Sequence, residues 1–288
     1  MNTVQGTRLN TQLRTFLLLA GLTGLLVVIG GLLFKGPGLI LFALLAIVMN
    51  FAAYWWSDKM ALKMSRAEPL AEADDPRLYA LVRDLAQRAE LPMPRLYLIP
   101  QEQPNAFATG RNEKHAAVAV TAGLRRHMPE DQLAGVLAHE LAHIKNRDIL
   151  IQSIGAMIAG VISGIANWLQ FSFLFGGGDD NDSPLGFIGV IATMILAPLA
   201  ATLLQLAVSR QREYLADATG ARFLGRPEPL ADALETLSRG VEVFPMKVNP
   251  ASEALFIVNP LHGAGVASLF ATHPPLEERV RRLRALVV

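Results

Sequence analysis

The stretch "HELAH", residues 139–143, sets two histidines four apart with a glutamate between them. On a helix, residues at that spacing project from one face, one turn apart, so His139 and His143 can reach a single ion. Glu140 follows the first histidine and can reach water held beside that ion. The H-E-x-x-H pattern on a helix serves zinc-dependent peptide hydrolysis, with the glutamate as general base. Leu133, Val136, Leu137 and Leu141 surround the motif and argue for a buried helix, where an imidazole needs a partner. The chain has no cysteine. Thiolate metal sites, disulfides and a cysteine nucleophile are excluded, and any metal must be held by His, Asp or Glu.

A catalytic zinc site takes three protein ligands and water. Candidates for the third ligand are His115, His127, His262, His273 and many acids, so the elements around the motif have to decide. The 288 residues are 52% hydrophobic, too apolar for an ordinary soluble enzyme, and the excess lies in blocks. A net charge of +1 shows no nucleic-acid footprint.

Four blocks read as spanning helices: roughly Phe16 to Phe34, Gly38 to Trp56, Ile149 to Phe171 and Leu185 to Val208, each near the ~20 apolar residues that cross a bilayer core. The first is too long for a signal peptide and is followed at once by the second, so it reads as a retained anchor. Lys and Arg set the orientation. Arg8 and Arg14 precede the first block, Lys59, Lys63 and Arg66 follow the second, Lys145 and Arg147 precede the third, and Arg210 and Arg212 follow the fourth. The loop "GGGDDNDSP" between the third and fourth has only acids. This places both termini and the large segments in the cytoplasm. Asn50, Gln152, Asn167 and Gln205 inside the spans read as helix-to-helix hydrogen bonding or interfacial positions. "GVISG" permits close helix packing, Pro198 suits a kink, and Trp55 and Trp56 suit an interfacial belt.

The expected organisation is residues 1–56 as tail and membrane pair, 57–148 as the first part of a cytoplasmic catalytic domain, 149–208 as a membrane hairpin, and 209–288 as the second part of that domain. "DPRLYALVRDLAQRAEL" reads as a helix, "RLYLIP" as a strand, "NAFATGR" as turn and strand, and "HAAVAVTAGL" as a second strand. That second strand reads either as an edge open to an extended peptide or as a plain interior strand. "MPEDQLAGVLAHELAHIKN" is a helix opened by Pro129 and early acids. "SRQREYLADATGARFLG" is helical to about Gly225, "PLADALETLSRG" is a helix with a glycine stop, and "HPPLEERVRRLRAL" is an amphipathic helix. Its core face is Leu276, Val280, Leu283 and Leu286, and its basic residues read as the solvated side.

Membrane depth narrows the third ligand. About six residues separate His143 from the third block, which puts the site on the order of 10 Å from the interface by helical rise. The fourth block returns near Val208, and Glu213 follows at similar depth. Glu213 and Asp217 lie four apart, so one can bind the ion while the other accepts a hydrogen bond from a ligand histidine's other nitrogen. Spacing alone leaves the choice open.

"HELAHIKNRD", "SRQREYLADATG", "NAFATG" and "ATHPPLEERV", in this order, resemble HtpX-type membrane zinc metalloproteases, relatives of the CAAX prenyl proteases. The resemblance covers most of the chain. It implies Glu213 as third ligand and Asp217 as the partner of a ligand histidine. It also implies Asn105 and His273 near the bound peptide, as donors to the developing oxyanion; by themselves they read as turn residues. His115, His127 and His262 read as surface or loop residues.

The expected protein is thus mainly α, with four transmembrane helices and a cytoplasmic zincin-like α+β metalloprotease domain. It holds one Zn2+ per subunit, in a cell membrane that the resemblance suggests is the bacterial inner membrane. Its partners are membrane lipid and protein substrates, chiefly misfolded or damaged membrane proteins cleaved in quality control and stress response. The competing expectations are a CAAX-type processing protease and a non-proteolytic four-span transporter or scaffold. The scarcity of ionisable residues inside the spans weakens the transporter.

Overall fold

The computed structural model describes residues 13, 17, 19–21, 23–24, 40–41, 43–157, 210–243 and 274–288. The fourth apolar block, most of the first, the far part of the third, the acidic loop, Asn167, Gln205, Pro198, His262 and His273 lie outside the described residues. Among the described residues, no helix is long and apolar enough to cross a membrane.

Residues 43–64 form helix α1. Leu44, Ile47, Val48, Phe51, Trp55 and Trp56 on it are exposed. Asn50 on this helix donates to Thr23 Oγ1 at 2.7 Å, the helix-to-helix bond expected of it. The Arg111 guanidinium lies 4.7 Å from the Trp55 ring centroid, a cation–π contact between a domain loop and the helix.

The domain begins with strand β1 (Glu68–Pro69) and helix α2 (Pro76–Arg88). Asp75 caps α2 by accepting from the Leu78 amide, and Pro76 sits in the first turn, where a missing N–H costs nothing. Strands β2 (Arg95–Ile99), β3 (Ala106–Thr109) and β4 (Ala117–Thr121) complete a sheet of order β1-β2-β4-β3. β2 and β4 are parallel; β3 is antiparallel to β4, with Ala108 opposite Val118. β4 is therefore interior, the second of its two sequence readings, and β3 is the edge strand beside it.

β4 is buried on both faces, and its alternation sorts small from large. Val118 and Val120 join the main core with Leu78, Val82 and Leu137. Ala117 and Ala119 face the other way, with Phe107 and Ile99, and pack against Ala61 of α1 and Ala156. The strand stops at Thr121, where its hydroxyl accepts from the Leu124 amide and opens helix α3 (Ala122–His127). Capping thus turns the end of the predicted strand into a helix.

Helix α4 (Glu130–Lys145) starts after Pro129, with Glu130 and Asp131 in its first turn, where acids favour the helix dipole. Every residue from Leu133 to Ile144 is buried, so α4 is the central post of the domain rather than an amphipathic surface helix. Helix α5 occupies residues 149–157. Helices α6 (Arg210–Leu224), α7 (Glu228–Val243) and α8 (Leu276–Arg284) enclose α4 and pack on one another. α6 ends where Gly225 takes φ +73°, the left-handed conformation of a helix stop. α7 runs through Gly240 to Val243, past the expected stop; a glycine inside a helix costs only about 1 kcal/mol.

Candidate metal centre

α4 presents His139 and His143 toward α6, which brings Glu213 and Asp217. Gly220 makes the approach possible: a Cβ there would lie 3.0 Å from Ala138 C and from His139 N. His139 Nε2 and His143 Nε2 are 3.1 Å apart. Glu213 Oε2 is 3.6 Å from the first, and Glu213 Oε1 is 3.5 Å from the second. One ligand atom from each of the three residues lies within 4.8 Å of the others. Three atoms each ~2.0–2.2 Å from one tetrahedral zinc stand about 3.3–3.6 Å apart, so the three groups fit around one ion with little adjustment.

The far side of each imidazole meets a carboxylate. His139 Nδ1 lies 3.0 Å from Asp217 Oδ1. His143 Nδ1 lies 3.3 Å from Asp148 Oδ2. Such partners hold the proton on Nδ1 and turn the Nε2 lone pair toward the centre. Each carboxylate meets an arginine in turn. Arg279 from α8 grips Asp217 with two bonds, Nε to Oδ2 at 2.9 Å and Nη2 to Oδ1 at 2.7 Å. Arg212 Nε stands 3.4 Å from Asp148 Oδ1. Arg279 also comes within 3.7 Å of Glu213 Oε2.

The charge balance favours a divalent cation. Glu140, Asp148, Glu213, Asp217, Arg212 and Arg279 are the buried carboxylates and guanidiniums among the described residues. Metal ligation requires both imidazoles neutral; four ionised acids and two arginines then leave two negative charges, which a divalent ion would offset. Protonation follows the same field. Burial alone would lower the His139 imidazole, but Asp217 and Glu213 raise it to about 9. Burial would raise Asp217, but Arg279 and His139 bring it to about 2.

Glu140 stands apart from this ring. Its Oε2 accepts from the Ala108 amide at 2.6 Å, which places it against β3, on the side away from β4. Burial pushes its carboxyl above the ordinary carboxylate range, against the pull of both imidazoles and of that amide. A raised carboxylate is suited to exchanging protons near neutral pH.

Asn105 is buried just before β3, and its backbone N–H donates to Thr121 Oγ1 at 2.9 Å. His115 is exposed and bonded to Asn112 at 2.7 Å, and His127 lies beside Glu102 at 3.6 Å. Neither belongs to the centre. Arg279 corrects the reading of the last helix: its basic residues are solvated except this one, which is 1% exposed. Arg279 falls three residues after Leu276 and four before Leu283, on the helix's core face, and that register was the signal for it. Asp148 and Arg212 were also missed; Asp148 stands in the irregular turn after α4 and Arg212 in the first turn of α6, and no apolar periodicity points to either.

An HExxH helix facing an acidic helix, braced on a small mixed sheet, is the working centre of a metallopeptidase. A protein-family model described as Peptidase family M48 matches residues 72–287. The chain belongs to that family and is a metalloprotease. It is 54% identical over 282 residues to a "Protease HtpX homolog" of Syntrophobacter fumaroxidans, covering 96% of this chain and 100% of the relative. A "Protease HtpX homolog" of Thermococcus sibiricus is 49% identical over 282 residues, covering 96% and 97%. The crystal structure of S. mikatae Ste24p has the same fold, with TM-score 0.50 at 20% identity, over 98% of this chain and 67% of that one.

Proposed function

We propose that the protein is a zinc-dependent endopeptidase, anchored in a membrane by four spans, that cleaves misfolded or damaged membrane proteins on the cytoplasmic side. The observation that carries the reading is the buried group of His139, His143 and Glu213 with Glu140 beside it at a sheet edge.

His139, His143 and Glu213 would hold the zinc, and Asp217 would orient His139. When bound, zinc supplies Lewis acidity to water and to the scissile carbonyl. Glu140 takes the proton of the attacking water on its carboxylate and hands it to the leaving amine. An extended substrate lies along β3 and pairs through main-chain groups, which reads little side-chain identity and suits varied clients. Asn105, just before β3, is proposed to meet that peptide, and His273 is proposed as a donor to the oxyanion. The membrane reading is supported by the exposed apolar and aromatic face of α1 and by the Lys and Arg distribution around the apolar blocks.

The test is metal analysis joined to casein cleavage by the purified full chain in detergent. One zinc per chain is expected. Chelation should abolish cleavage and zinc should restore it. A chain that cleaves without metal, or that takes none up, removes the reading.

A further inference from the structure

We propose that Asp148, braced by Arg212, is the positioning residue for His143, so that the turn after α4 and the first turn of α6 jointly hold one metal ligand. The inference rests on the metal-binding reading above.

The turn after α4 is built to aim Asp148. The Arg147 amide donates to the Ile144 carbonyl at 3.1 Å, and the Asp148 amide donates to the His143 carbonyl at 2.9 Å. These are the paired bonds of a Schellman stop, whose left-handed position is normally glycine. Here that position is Arg147, at φ 63°, a left-handed conformation that side chains disfavour. The turn carries Asp148 back over the last helical turn onto the residue whose carbonyl it caps. Its carboxylate, fully buried, reaches His143 Nδ1.

The next turn, at the start of α5, docks on the same place. The Gln152 side-chain nitrogen, Nε2, lies 3.5 Å from His143 Nδ1. The Ser153 hydroxyl lies 2.6 Å from that of Thr109 on β3. Where the chain returns, Arg212 reaches Asp148 one residue before the ligand Glu213. Asp148, in the turn after α4, and Arg212, in the first turn of α6, thus meet behind His143. The arrangement repeats the imidazole–carboxylate–guanidinium order of His139, Asp217 and Arg279. Its contacts are longer, and it depends on α5 and α6 staying together.

The experiment uses the full chain in detergent with four variants: Asp148→Ala, Asp148→Asn, Arg212→Lys and Arg212→Met. Zinc affinity is read by chelator competition, ligand geometry by the visible spectrum of the cobalt(II)-loaded protein, and folding by circular dichroism. Asp148→Ala should weaken zinc binding about 10- to 100-fold at unchanged helix content, with an altered cobalt spectrum. Asp148→Asn keeps an acceptor for Nδ1 but loses the charge, so it should fall between. Arg212→Lys should bind close to wild type and Arg212→Met more weakly. Should Asp148→Ala not fold, Asp148→Asn decides. Wild-type affinity and spectrum in Asp148→Asn would then overturn the proposal, as they would in both Asp148 variants when both fold. Affinity lost only together with helix content, with an unchanged spectrum once saturated, would overturn it too. Failure of the metal reading looks different: wild type itself would take up no stoichiometric zinc.

Discussion

Glu140 and Arg279 are both buried beside the proposed ligands, yet they answer to different tests. Glu140→Gln keeps shape and removes only proton uptake. Zinc content should stay at wild type while turnover falls by about 10²- to 10⁴-fold, measured as kcat beside metal analysis of the same sample. Metal lost in proportion to activity would assign Glu140 to holding the ion instead. Arg279→Met leaves Asp217 and Glu213 together without their guanidinium. Breaking a buried pair in this way costs about 3–5 kcal/mol, read from the denaturant midpoint, and Arg279→Lys should recover only part because it cannot fork onto both oxygens. An unshifted midpoint in Arg279→Met would deny the pair any weight. The histidine motif was legible in the sequence because its geometry is local: one helix, four residues. Glu213 needed membrane depth and family resemblance, since no local rule joins it to His143. Arg279 was read as solvated because arginine usually is, although its register with Leu276 and Leu283 put it inside.

Between helices the decisive quantity is the approach of α6 to α4. Gly220→Ala sets a Cβ 3.0 Å from the backbone at Ala138 and His139 and pushes away the helix that carries Glu213. A loss of about 1–3 kcal/mol in stability with weaker zinc binding is expected. Gly225→Ala is the contrast. It strains a left-handed residue in open space, so it should cost about 1–2 kcal/mol and leave zinc affinity alone. If both glycines affect the metal alike, close approach is not what matters. A second junction makes a pH prediction. Arg125 bonds the Asp75 carboxylate, which also caps α2, and together they hold it below its ordinary value. A depressed acid stabilises the fold above its unfolded pKa, ~3.9, and loses that contribution as pH falls through the folded value. Asp75→Asn should flatten this acid limb in urea titrations from pH 5 to about 2. The helices were legible from their apolar spacing and caps. The end of β4 and the course of α7 were not, because Thr121 capping and a tolerated Gly240 override strand propensity and glycine punctuation.

Across the whole molecule, the absence of cysteine makes the proposed topology testable without a preparatory background. Single Ser65→Cys and Ser183→Cys chains in intact cells should divide: a membrane-impermeant maleimide should label position 183 from outside and reach position 65 only after lysis. Equal labelling before lysis would refute the cytoplasmic placement. The α+β metalloprotease class was legible because the HExxH motif and the strand and helix patterns are local; sheet order was not, since which strand stands outermost depends on contacts far apart in sequence. The alanine face of the sheet has a practical consequence. Ala117 and Ala119 are sealed by α1 and by Ala156 of α5, not by the helices that carry the histidines and Glu213. A protease fragment trimmed of residues 1–64 and 149–208 for crystallisation would lose its own wall. It should come out of expression as aggregate, and purification has to begin with the whole polypeptide in detergent.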